Sequence, residues 1–150
     1  MISLFLSFAL LQQAESIQSD PTFKELSKLV GGNWVGHVNA DTEIRQHFEF
    51  AVDRKLIRGN GSVLVKGKVV LYTQANMGWD PSVKKVFYVD FHNHDTVYMG
   101  HVTLKDGWME YDFSEFADST KHYDARSKFT DKNHYQFLLG KETITMERKR

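Results

Sequence analysis

The 150-residue sequence predicts an all-β fold: one antiparallel, up-and-down barrel of roughly ten strands behind a single short N-terminal helix. From Asn33 onward, apolar and polar residues alternate with period two, the spacing of a strand with one buried face. Turn residues interrupt that alternation about every eight to twelve residues, as in sandwiches and barrels. Aromatic residues make up 13% of the chain, and aromatic side chains favour pleated, half-buried surfaces. A series of sequential hairpins favours closure, because a closed sheet has no exposed edge.

The first element is an apolar run, Ile2–Leu11, of the length of a signal-peptide core. Ala14-Glu15-Ser16 follows and suits signal peptidase, although no Lys or Arg precedes the run. The expectation is a signal peptide over residues 1–16, a mature barrel domain over 17–150, and a secreted or periplasmic location. The alternative is an apolar helix packed on the domain. The run is too short to span a bilayer. Asp20 can then cap a helix whose first turn holds Pro21. Phe23, Leu26, Leu29 and Val30 recur at helical spacing, and Gly31-Gly32 ends the helix.

The expected strands are Trp34–Val38, Glu43–Val52, Leu56–Lys66, Val69–Trp79, Val83–Phe91, Thr96–Leu104, Trp108–Phe116, Lys121–Phe129, His134–Leu139 and Glu142–Arg148. Asp80-Pro81-Ser82 is a tight turn with proline well placed, and Asp106-Gly107 is a hairpin turn of the Asp-Gly type. Gly59 and Gly61 mark a bend or bulge. Alternation assigns Ile44, Phe48, Phe50, Val63, Val65, Leu71, Phe87, Val89, Phe91, Met109, Tyr111, Phe113, Phe129, Tyr135 and Phe137 to the interior. Gln46, Thr73 and Tyr123 are the polar members of the same faces.

Composition excludes several function classes. Lys+Arg and Asp+Glu are both 19, and no basic stripe is visible, so nothing draws the chain to a nucleic-acid backbone. The chain has no cysteine, which removes disulfides, thiolate nucleophiles, Cys-ligated zinc and iron–sulfur clusters. No G-x-S-x-G, H-E-x-x-H or P-loop motif is present. His92, His94 and His101, with Asp90 or Asp95, are zinc-like in composition. A loop tip does not hold two histidines together, so they read as exposed polar residues and no metal is expected. Glu110, Asp112 and Ser114 alternate with Met109, Tyr111 and Phe113. The acids are solvated if the apolar set points inward; a wet interior would make Asp112 an acid–base candidate.

Gly32-Asn33-Trp34, after the helix and at the opening of the first strand, resembles the G-x-W of calycins. The resemblance implies that Trp34 crosses the closed barrel end with Arg148 of the last strand packed on it. Leu29–Val38, the G-W-D-P turn at Gly78–Pro81, the K-x-x-Y-x-D strand at Lys85–Asp90, Asp106-Gly107 and the Glu142–Arg148 end are similar to small bacterial barrels of the domain-of-unknown-function family 1579. That family implies a fold and no activity.

The expected function is non-enzymatic: an exported protein holding a small apolar or amphipathic molecule in a barrel cup, with no cofactor. The expected ligand contacts are Gln46, Phe48, Phe50, Thr73, Phe87, Phe91, Tyr111, Phe113 and Tyr123, with Trp34 and Arg148 structural. One alternative is an isomerase- or hydrolase-like barrel enzyme using an interior acid or His, Asp112 or His101. Another is a haem-binding barrel of the nitrobindin type with His101 as axial ligand. Expression in a bacterial host should yield periplasmic protein whose N-terminal sequence begins near Ile17; folded, soluble protein beginning at Met1 would contradict the signal peptide.

Overall fold

The computed structural model describes residues 18–149; the expected signal peptide and its cleavage site lie outside them, as does Arg150. Helix α1 is Pro21–Leu26, and a 3-10 turn, Ser27–Leu29, completes the expected helical stretch. The Asp20 carboxylate accepts a hydrogen bond from the Phe23 amide at 2.9 Å, and Pro21 fills the first helical position. Both satisfy the helix start, where amides lack internal partners. Phe23, Leu26 and Leu29 form the buried stripe.

Ten strands follow: β1 (Asn33–Asn39), β2 (Thr42–Ala51), β3 (Leu56–Val65), β4 (Lys68–Asp80), β5 (Lys85–His92), β6 (Val97–Lys105), β7 (Trp108–Glu115), β8 (His122–Asp131), β9 (His134–Leu139) and β10 (Glu142–Lys149). Each pairs antiparallel with the next, and β10 pairs with β1, so the sheet is a closed barrel. Two-residue turns hold the tight hairpins; Lys66-Gly67 and Asp106-Gly107 both take positive φ at both positions, the handedness that matches strand twist. Among the described residues, no helix is long and apolar enough to cross a membrane.

The barrel end bearing the start of β1 is closed by α1 and the 3-10 turn. The Thr22 hydroxyl accepts a hydrogen bond from the Leu104 amide of β6 at 3.1 Å. Trp34 is fully buried and donates its indole N–H to the Leu29 carbonyl at 2.9 Å. Its direct cross-strand partner is Arg148, whose guanidinium lies 4.5 Å from the indole centroid. Arg148 Nη2 also donates to the Lys28 carbonyl, tying the last strand to the 3-10 turn. At Gly32 a Cβ would sit 2.9 Å from Arg148 Cγ, so the glycine leaves room for that side chain.

Two assignments of strand face differ from the alternation reading. In β3 the register shifts between Val63 and Leu64. Beyond it Leu64 is buried and Val65 half-exposed, because an extra residue reverses the alternation. In β5 the whole strand is inverted: Val86 and Asp90 are buried, and Phe91 is 47% exposed. Phe87, Val89 and Phe91 therefore face out, with the Phe87 ring lying over the space at Gly78. Gly59 and Gly61 form no bulge either; their pairing with β2 is regular. The Phe48 ring lies over Gly59, where a Cβ would come within 2.6 Å of it.

Trp34→Ala should cost about 3–5 kcal/mol of stability, the usual loss for a large buried aromatic. Arg148→Ala should cost about 1–2 kcal/mol through the lost cation–π contact. Chemical denaturation of both single mutants and the double mutant checks this; strict additivity would deny the contact any coupling.

Candidate functional site

The inverted strand carries the site. Tyr88, Asp90 and His92 stand at i, i+2 and i+4 of β5, so period-two geometry puts all three on one face. That face lines a cavity of about 210 Å³ inside the barrel. Leu29 forms its floor beside the Trp34 end. Its wall is mostly apolar, with Ile44, Met77, Ala75, Ala125 and Phe137 among the lining side chains.

The three polar groups of β5 are bonded to one another. Tyr88 Oη donates to Asp90 Oδ2 at 2.9 Å. His92 Nε2 lies 3.1 Å from the same oxygen. Asp90 is only 8% exposed, and its Oδ1 is buried with no hydrogen-bond partner. Burial raises the Asp90 carboxyl above its ordinary value, partly offset by the bonds from Tyr88 and by His92. Burial also lifts the Tyr88 phenol well above its usual range, and the Asp90 charge adds to that.

A second polar pair crosses the cavity. Tyr135 Oη donates to Gln46 Oε1, joining β9 to β2. The Tyr135 ring meets Trp34 edge-on at 4.9 Å, so the floor and this pair are one packed unit. Tyr111 shares a hydrogen bond with Ser127 at 3.2 Å, and burial pushes its phenol up to about 12. At Gly100 a Cβ would fall 1.9 Å from the Asp112 carbonyl. The missing side chain lets β6 and β7 approach, and Tyr88 and Phe113 meet across it at 5.7 Å.

Of the residues expected to contact a ligand, Gln46, Phe48, Thr73, Tyr111 and Phe113 line this cavity. Phe50 does not. It packs on the core nearer the closed end, under the Arg54 guanidinium at 4.3 Å. Tyr123 stands at the opposite rim, stacked on Phe113 at 5.8 Å and bonded to Glu115. Phe87 and Phe91 are outside, because the polar residues of β5 occupy the interior. Thr73 packs where Gly61 lacks a side chain, its hydroxyl 2.6 Å from the position of a Cβ there.

The acid and histidine singled out as catalytic alternatives also lie outside. Asp112 is exposed and faces His122 at 3.3 Å. His101 pairs outward with Asp80 at 3.4 Å, which removes the nominated haem ligand from the interior. His94 lies against the Val70 carbonyl at 3.2 Å, apart from His92. Among the described residues no group of three or more His, Asp or Glu is placed to hold a metal. The interior acid is Asp90, which the alternation reading hides because both faces of β5 carry apolar residues. No protein-family model matches the chain, and no curated protein matches it significantly.

Asp90 sets a pH dependence of stability. Its folded-state value is raised above 3.8, so its burial is tolerated while the group is neutral, and stability is lost as pH climbs through the folded value. Asp90→Asn, which does not titrate, should therefore be more stable than the natural protein at neutral pH. The advantage should shrink on acidification and vanish once Asp90 is protonated in both states. Urea midpoints across that range check the sign.

Proposed function

We propose that this chain is an exported, calycin-like barrel that binds one small amphipathic molecule in its interior. The observation that carries the reading is the cavity of about 210 Å³, apolar over most of its wall, with a compact polar cluster at Asp90. Enclosed apolar space with a few convergent polar groups is the usual construction of a small-molecule site. The apolar wall supplies affinity, and Asp90, Gln46 and Thr73 orient the polar end. The G-x-W start at Gly32-Asn33-Trp34 and the apolar run Ile2–Leu11 support the calycin and export parts of the reading.

Size limits the part of a ligand that the interior holds. A dry cavity of about 150 Å³ accommodates benzene. The present volume suits roughly one ring with a short substituent, by the same measure.

One observation favours a second reading, an acid–base enzyme. Asp90 is a buried acid with a raised pKa, held by Tyr88 and His92 at a cavity wall, and such groups cluster at catalytic sites. Solvent-deuterium exchange into the α-carbon of a small ketone, lost in Asp90→Asn, would be its signature.

Binding is tested with 1-aminonaphthalene, an apolar fluorophore that is neutral at pH 7. Its emission should rise saturably with micromolar affinity, and Ala75→Phe, which fills the cavity, should weaken it about tenfold or more. Absence of saturable binding to folded protein would leave the barrel an inert scaffold.

A further inference from the structure

The charge of the cavity wall points to one class of ligand. Among the described residues lining the cavity there is no Lys or Arg. A fatty acid or other carboxylate would meet no fixed cation there, and would place its charge near Asp90. Asp90 has no Lys or Arg beside it in the cavity; its ion-pair partner is His92, 3.1 Å away. Its Oδ2 takes both Tyr88 and His92, while its Oδ1 has no donor. Asp90 lines the cavity, so a donor held there can take up the acceptor capacity that Oδ1 leaves unused.

The rest of the wall suits a cation as well. The aromatic residues Tyr88, Tyr111, Phe113, Tyr135 and Phe137 line the cavity. Ring faces attract ammonium groups most strongly where water is excluded. A carboxylate beside a set of aromatic rings therefore favours a positive, partly apolar guest over a neutral or negative one.

We propose that the cavity is a site for a small primary ammonium, an arylalkylamine or short alkylamine, with its nitrogen on Asp90 and its apolar part against Tyr111 and Phe137. This inference rests on the binding function proposed above and adds the sign of the ligand's charge.

The test compares three ligands of one shape by calorimetry at pH 7 with the mature protein: 2-phenylethylamine, 2-phenylethanol and 3-phenylpropionate. The amine should bind about tenfold or more tightly than the alcohol, as expected of a charge-assisted bond, and the acid most weakly. Asp90→Asn, shown to be folded by circular dichroism, should reduce amine affinity about tenfold and alcohol affinity by less, so that the preference for the amine over the alcohol collapses. If that variant does not fold, the ranking of the three ligands on the natural protein decides alone. Alcohol binding equal to or tighter than amine binding, or an amine affinity unmoved by Asp90→Asn, would overturn the amine proposal while leaving a ligand cavity intact. Failure of all three to bind would overturn the amine proposal, while the 1-aminonaphthalene titration decides the binding function separately.

Discussion

Everything in this barrel depends on the contact that closes it. Trp34 on β1 and Arg148 on β10 are register partners, so the guanidinium that covers the indole is also the point where the last strand joins the first. Closure leaves no unpaired strand edge. The same tryptophan holds the Leu29 carbonyl, and Leu29 is the cavity floor. The Tyr135 ring against Trp34 carries that rigidity to Gln46. One buried aromatic thus fixes topology, floor and one polar wall together, which is why its loss affects more than its own buried area.

Above that floor the interior departs from what a core requires. Tyr88, Asp90 and His92 occupy positions where Phe87, Val89 and Phe91 would bury more apolar surface. Burying an acid with one unpartnered oxygen destabilises a fold. Local departures of this kind concentrate at functional sites. The exposed Phe91 and the half-buried Phe87 are the other side of the same choice: β5 presents its polar face inward and leaves apolar rings outside.

The sequence made the architecture legible and hid the site, for the same reason. Hairpin turns such as Lys66-Gly67 and Asp106-Gly107 follow from local backbone chemistry, so ten strands and their order can be read directly. The Trp34–Arg148 contact was legible only through resemblance to calycins, since nothing in the spacing of two residues so far apart pairs them. Within β2 and β7 one face is clearly more apolar, and Gln46, Phe48, Tyr111 and Phe113 line the cavity as alternation expects. In β5 the rule chooses Phe87 and Phe91 because it weighs hydrophobicity and not hydrogen bonding. Three bonded polar residues at i, i+2 and i+4 were the available signal. Asp112 and His101 are chemistry-bearing types, but the first is solvated on β7 and the second faces out from β6.

The central claim is that the barrel interior holds apolar space walled on one side by the inward face of β5. Xenon-pressurised crystals test it most directly, because xenon enters dry apolar cavities without needing a polar partner. The account predicts a xenon peak between Ala75, Tyr111 and Phe137, with Asp90 and His92 inside the barrel and Phe91 on its surface. An interior filled by side chains with no xenon peak, or a β5 with Phe91 inside and Asp90 in solvent, would contradict it.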